Sequence, residues 1–216
     1  MSCQYRTIPI HLLFDKLTDT RTAIDYETQA YALAKIPEEH RDVIEFGFET
    51  GLRPGETCAI QVRDLENGVL TVQRTWSGSR LRETTKGGNK ERVPLSQRAS
   101  ALFSKHSKEK LPHAFLFINP ETHRAYRPKK LNQLWRKFTG IDITHYEASR
   151  HSFCTQIIES ADVFSAQRLM RHKNLSSTKV YHHASTKRLE DIVNSRGRVV
   201  VLEPAAKQIQ SRKASP

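Results

Sequence analysis

The sequence predicts an α+β fold, mainly helical, with one small antiparallel β-sheet of about three strands. Apolar residues recur at helical spacing through most of the chain between residues 25 and 184. One stretch, residues 69–95, changes to strand-like alternation and is interrupted by the turn-forming Lys86-Gly-Gly-Asn-Lys90. The third observation is size. At 216 residues, 37% of them hydrophobic and including nine Phe and six Tyr, the chain can bury one sizeable core and is too apolar for wholesale disorder.

Each element has a local reason. Residues 1–24 read as irregular. A helix is expected from about Asp25 to Lys35, with Asp25 as N-cap, Glu27 in the first turn and Ile36-Pro37 ending the run. A second helix follows Pro37 to about Thr50, with Val43, Ile44, Phe46 and Phe48 as apolar positions and Gly51 as C-cap. Arg53 then emerges between two helices, because Pro54 suits the first turn of the next one, which is expected to continue through Glu56, Ala59 and Ile60. Val69 to Trp76 alternates as a strand, with Arg80 to Thr85 as its expected partner and Glu91-Arg-Val-Pro-Leu95 as a third strand. Pro94 confines that third strand to an edge or to its own end. Helices are expected over Gln97 to Lys110, over 128–138 with Leu131, Leu134, Trp135 and Phe138 on one face, over Glu147 to Ser160, and over Phe164 to Met170. Ser176 or Ser177 is a possible cap for a helix bearing Tyr181. Val199-Val-Val-Leu202 reads as a short strand within a polar tail.

Composition excludes several classes. No apolar run approaches the ~20 residues that span a bilayer, and the N-terminus lacks a basic stretch followed by an apolar one, so a cytosolic, nucleoid-associated protein is expected. Cys3, Cys58 and Cys154 are too few and too scattered for a disulfide framework or a Cys-x-x-Cys metal site, and they read as packing thiols. Charge is uneven. Lys and Arg against Asp and Glu count 8 against 12 in residues 1–76, 15 against 4 in 77–137 and 12 against 7 in 138–216. The middle segment holds Arg80, Arg82, Lys86, Lys90 and Arg92, then Arg124, Arg127, Lys129, Lys130, Arg136 and Lys137 with Tyr126 and Trp135 interleaved. Such clustering suits a polyanion; the plainer alternative is a solvated basic face.

Four segments stand out. Two arginines occupy distinctive settings, Thr50-Gly-Leu-Arg53-Pro-Gly-Glu56 and Tyr146-Glu-Ala-Ser-Arg150-His-Ser-Phe153. Thr85-Lys86-Gly-Gly-Asn-Lys-Glu-Arg-Val-Pro-Leu95 places a lysine on a hairpin turn. Leu169-Met-Arg-His172-Lys-Asn-Leu-Ser-Ser-Thr-Lys-Val-Tyr181 sets a phenol nine residues after an imidazole. Taken in this order they resemble the four motif boxes in the catalytic domain of tyrosine recombinases, the phage-integrase type, over roughly Asp25 to Ala184. Each box alone is a weak signal, and four in order are a strong one.

The resemblance implies a helical catalytic domain, placed here at residues 25–194, that cleaves and rejoins DNA strands through a 3′-phosphotyrosyl bond without a cofactor or metal. Arg53 and Arg150 would hold the non-bridging oxygens of the scissile phosphate, as paired guanidinium donors suit an oxyanion. Tyr181 would be the nucleophile, Lys86 the acid for the leaving 5′-oxygen, and His172 a donor to the phosphate or an aid to proton transfer. Glu56 would orient Arg53 or another basic side chain. The resemblance also implies double-stranded DNA as partner, a homotetramer on two DNA sites, DNA-bending accessory proteins, and a tail, residues 195–216, exchanged between protomers. Ordinary alternatives stand beside these roles: an Arg53–Glu56 pair on a helix surface, a structural Arg150, Lys90 in place of Lys86, a capping or core His172, a packed Tyr181, Tyr146 as nucleophile.

Two departures matter. Family members often carry a histidine three residues before the second arginine, where this chain has Glu147; either Glu147 points away or His145 or His151 takes the role, His151 otherwise packing behind Arg150. The N-terminal core-binding domain usual in the family is also missing, so the chain is expected to be a fragment or a minimal form. Two other functions remain in view, a type IB topoisomerase-like enzyme and an inactive DNA-binding protein of the same fold.

Overall fold

The computed structural model describes residues 23–84 and 90–172, and its first helices start and stop where local chemistry directs. Helix α1 (Tyr26–Lys35) is capped by Asp25, whose carboxylate accepts from the Thr28 amide at 2.8 Å. Helix α2 (Glu38–Thr50) follows Pro37 and buries Val43, Ile44, Phe46 and Phe48 before Gly51, at φ +59°, ends it. The one-turn helix α3 (Pro54–Thr57) is shorter than the run through Ile60 that the sequence suggests. The Ile60 carbonyl instead accepts from the Leu116 amide at 2.8 Å, and Gln61 bridges Phe115, so a distant apolar run captures the backbone groups that would have extended the helix.

A 3₁₀ turn, Val62–Asp64, leads into β1 (Leu65–Glu66), β2 (Val69–Val72), β3 (Thr75–Ser77), β4 (Arg80–Arg82) and β5 (Glu91–Pro94). The single strand expected over residues 69–76, paired with 80–85, is corrected: it splits at Gln73 and Arg74. Strand β2 lies between β1 and β5, while β3 pairs with β4 in a separate ribbon among the described residues. The cause is Arg74, which turns inward to pair with buried Asp64. That carboxylate also accepts from Gln73 Nε2 at 2.9 Å and the Gln61 amide at 2.7 Å. An acid buried this deeply persists only with such a set of donors, and satisfying it bends the chain out of the strand. As expected, β5 is an edge strand ending at Pro94, opposite Val69.

Helix α4 (Gln97–Ser107), capped by Ser96, ends three residues early where Lys108 is extended and Lys110 donates to the Leu116 carbonyl at 2.7 Å. Next come the ribbon β6 (Ile118–Asn119) and β7 (Arg124–Ala125), α5 (Pro128–Thr139), a π-turn (Glu147–His151), α6 (Ser152–Ser160) and α7 (Val163–Met170). Helix α5 buries Leu131, Leu134 and Trp135 against α2 residues such as Phe48, whose ring meets Trp135 edge-on at 5.9 Å; Phe46 meets Phe117 at 5.2 Å. Full burial of each such side chain contributes ~1.5–3 kcal/mol. A second apolar cluster, Cys154, Ile158, Ala166 and Met170, pins α7 to α6. Cys58 and Cys154 are buried free thiols, and burial pushes both pKa values up, that of Cys154 to about 11. Among the described residues no helix is long and apolar enough to cross a membrane.

His145 is 1% exposed between Phe48 and Trp135, and among the described residues neither ring nitrogen has a hydrogen-bond partner. Burial lowers its pKa to about 4. The unfolded chain therefore binds a proton that the folded one refuses as pH falls below about 6.5, and stability declines until the folded pKa is reached. Between pH 7 and pH 4.5 this amounts to roughly 2–3 kcal/mol. Urea titrations at the two pH values are expected to show a smaller loss for His145→Leu than for the wild type by about that amount; equal losses would remove His145 as the cause.

Candidate active site

The first arginine box is shaped by its backbone. Gly51 is left-handed, and its carbonyl oxygen accepts from Arg150 Nη1 at 2.7 Å. A Cβ on Gly51 would lie 2.4 Å from Cδ1 of Phe153. Gly51→Ala thus combines backbone strain with overpacking at an Arg150 contact, and a loss of roughly 2–4 kcal/mol is expected by chemical denaturation. Arg53 precedes α3, and Glu56, one turn on, folds back to accept from the Arg53 amide and from Arg53 Nη1, both at 3.0 Å. The ion pair weighed as the ordinary alternative therefore exists, but not on a solvated surface: the Glu56 side chain is 1% exposed and that of Arg53 32%.

Arg150 comes from the π-turn, a widened turn whose extra residue re-aims side chains. It is 1% exposed and bridges two elements, Nη1 donating to Gly51 O and Nη2 to Met170 O at 2.5 Å. Burial, and then the positive charges of Arg53 and Arg171, lower its pKa to about 10, which leaves it protonated at neutral pH.

The end of α7 completes the group. Arg171 closes the helix in the left-handed conformation, and its Nη2 donates to the second oxygen of Glu56 at 2.6 Å. Burial would raise the pKa of Glu56, but the charges of Arg171 and Arg53 outweigh it and the net shift is downward. His172 follows, its amide donating to Gln167 O at 3.1 Å. Its pKa is lowered to about 4 by burial first, then by Arg150, Arg53 and Arg171, so the imidazole is neutral at pH 7. Three guanidiniums, one carboxylate and a neutral imidazole are thus close enough to shift one another's charge. Such a group is electropositive and suits an oxyanion, and Arg53, 32% exposed, is its most accessible guanidinium.

The structure brings Arg53, Arg150 and His172 together. Lys86 and Tyr181 lie outside the described residues. Glu147 accepts from the Thr144 amide and hydroxyl, both at 2.7 Å, while its own amide donates to Thr144 Oγ1 at 3.2 Å. This is a capping box, legible in Thr144-His-Tyr-Glu147 yet missed. His145, weighed as a stand-in at Glu147, is in the hydrophobic core instead, while His151 meets the Tyr146 ring edge-on at 5.1 Å and burial lowers its pKa. Arg80, Arg82, Lys90, Arg92, Arg124, Lys129, Arg136 and Lys137 are exposed. Arg127 lies 3.3 Å over the Trp76 ring and donates to the Ala125 and Tyr126 carbonyls, and Lys130 pairs with Glu121 at 2.5 Å. Arg171 is the site residue that sequence reasoning passed over, although it stands beside His172 in a box already singled out.

Residues 22–188 match the phage integrase family, and the chain belongs to it. Tyrosine recombinase XerC of Bacillus pumilus (strain SAFR-032) is 30% identical over 188 residues, covering 84% of this chain and 59% of the relative. XerC of Bacillus licheniformis is 34% identical over 155 residues, covering 68% and 50%. The chain therefore spans between half and three fifths of the length of these curated relatives. Among solved structures, the Tn1549 transposon integrase in complex with transposon right end DNA has the same fold, with a TM-score of 0.67 at 18% identity over 82% of this chain and 66% of that one.

Proposed function

We propose that this chain is the catalytic domain, residues 25–194, of a site-specific DNA recombinase or integrase that cleaves and rejoins strands through a 3′-phosphotyrosyl intermediate. The observation that carries the reading is the convergence of Arg53, Arg150 and His172, from three segments spread over about 120 residues, on one electropositive group. In this reading Arg53 and Arg150 grip the non-bridging oxygens. Tyr181 Oη loses its proton to neutral His172 or to solvent and attacks phosphorus as the bond to the 5′-oxygen breaks, and Lys86 delivers a proton to that oxygen. Religation reverses the step: the 5′-hydroxyl attacks, returns its proton to the lysine and expels the phenolate, so no external energy source is consumed. A neutral His172 donates to a phosphate oxygen or relays the phenol's proton.

Double-stranded DNA is the proposed partner, tracked by the exposed basic residues of β4, the β5 edge and α5. The working form is a homotetramer on two DNA sites, assisted by bending proteins and stabilised by exchange of the tail, residues 195–216, within the nucleoid. Truncating that tail then alters assembly. The experiment is incubation with a nicked suicide duplex built from the DNA flanking the coding region. A denaturation-resistant protein–DNA adduct supports the reading. Binding with no adduct favours the inactive binder, and relaxation of supercoiled plasmid without partner exchange favours the topoisomerase.

A further inference from the structure

We infer that Arg171 is a positioning residue of the catalytic centre, acting through Glu56 on Arg53 and through its own backbone on His172; the inference rests on the function proposed above. Three features point to it.

The first is conformation. At the C-cap of α7 Arg171 has φ 56° and ψ 42°, a left-handed geometry that glycine adopts freely and an arginine does not. The strain of that geometry stands against the contacts that the buried side chain makes.

The second is the contact itself. The Arg171 side chain is 5% exposed, and its Nη2 lies 2.6 Å from Oε2 of Glu56, 115 residues earlier in the chain. Glu56 uses its other oxygen on Arg53 Nη1. One buried carboxylate therefore ties the guanidinium of the first arginine box to the turn that presents His172, and moving either guanidinium changes the field felt by the other. A second link runs in parallel, because Arg150 joins Gly51 O to Met170 O. Met170 and Arg171 are thus held on both sides of the peptide bond between them: by Arg150 at the Met170 carbonyl and by Glu56 at the Arg171 side chain. Geometry of this kind fixes the direction in which the next residue, His172, leaves the helix.

The third is charge. Among the described residues Arg171 Nε has no hydrogen-bond partner although it is buried, so part of its donor capacity is unspent within the group. Its charge also contributes to the lowered pKa values of Arg150 and His172. Arg171 is not expected to touch the reacting atoms. Its effect is on the placement and protonation of groups that do.

The test uses the full chain and the same nicked duplex at saturating concentration, with single-turnover cleavage, DNA affinity and thermal midpoint measured together. For Arg171→Gln a fall of about 10–100-fold in the cleavage rate constant is expected, with DNA affinity held within about threefold, as for other residues that orient site ligands. Arg171→Lys retains charge and reach and should recover part of the loss, which a role confined to helix capping would not produce. Glu56→Gln combined with Arg171→Gln should cleave no more slowly than the worse single variant, since both remove one link. By NMR titration, the His172 pKa should rise in Arg171→Gln, a readout that needs no cleavage. Wild-type cleavage by Arg171→Gln, no recovery by Lys, multiplying losses in the double variant, or an unmoved His172 pKa would each overturn the inference. If the wild type forms no adduct, the recombinase reading falls and takes this one with it; if it does and Arg171→Gln matches it, only this one falls.

Discussion

Tyr181→Phe is expected to reduce covalent adduct formation by on the order of 10⁵-fold or more, as loss of a nucleophile does in other enzymes with covalent intermediates. The substitution deletes one oxygen and leaves a ring of nearly the same shape. DNA affinity and thermal midpoint should therefore stay close to wild type, and the defect should appear in cleavage alone. Suicide-substrate trapping resolves the outcome on a denaturing gel. An adduct that persists in Tyr181→Phe points to another nucleophile, and Tyr146, 37% exposed four residues before Arg150, becomes the next to replace. Peptide mapping of the adduct names the residue directly.

Arg150→Ala carries the second largest expected effect, because the side chain serves two ends at once. Catalytically it removes a guanidinium proposed to stabilise charge in the transition state, a loss of about 10²–10³-fold in the cleavage rate constant. Structurally it strips the donors from two buried carbonyls, Gly51 O and Met170 O. Leaving buried acceptors unpaired costs about 1–3 kcal/mol each. Denaturant titration should show destabilisation of a few kcal/mol, and α7 should loosen from the first arginine box, which hydrogen exchange at its C-terminal amides would report. Arg150→Lys separates the two roles. It keeps the charge but reaches only one carbonyl, so stability should recover more than cleavage, whose bidentate grip stays lost. Cleavage at the wild-type rate in Arg150→Lys would mean that the fork plays no part in the chemistry.

Much of this was legible because it is local. Asp25 caps α1, Gly51 ends α2 and Pro54 opens α3 for reasons contained within four or five consecutive residues. The apolar stripe of α5 needs nothing beyond its own periodicity. Where reading failed, a distant residue intervened. The strand expected over residues 69–76 breaks because Arg74 must satisfy Asp64, and α3 stops short because Ile60 and Gln61 pair with the run at Phe115 and Leu116. Glu147 is the exception: Thr144, three residues away, pairs with it in a capping box that is contained in Thr144-His-Tyr-Glu147.

By itself, then, the sequence determined the helical α+β class and the boundaries of most helices, and it supplied the candidate groups proposed to grip and attack a phosphodiester. These depend on short-range capping, periodicity and residue chemistry, all of which act between neighbours in the chain. Only the tertiary structure decided that Glu56 is shared between Arg53 and Arg171, that Arg150 bridges Gly51 to Met170, and that His145 belongs to the core rather than the site. The reason is that the worth of a charge depends on what is packed around it once water has been excluded. Packing brings together residues about a hundred positions apart, a relation that no local pattern in the chain encodes.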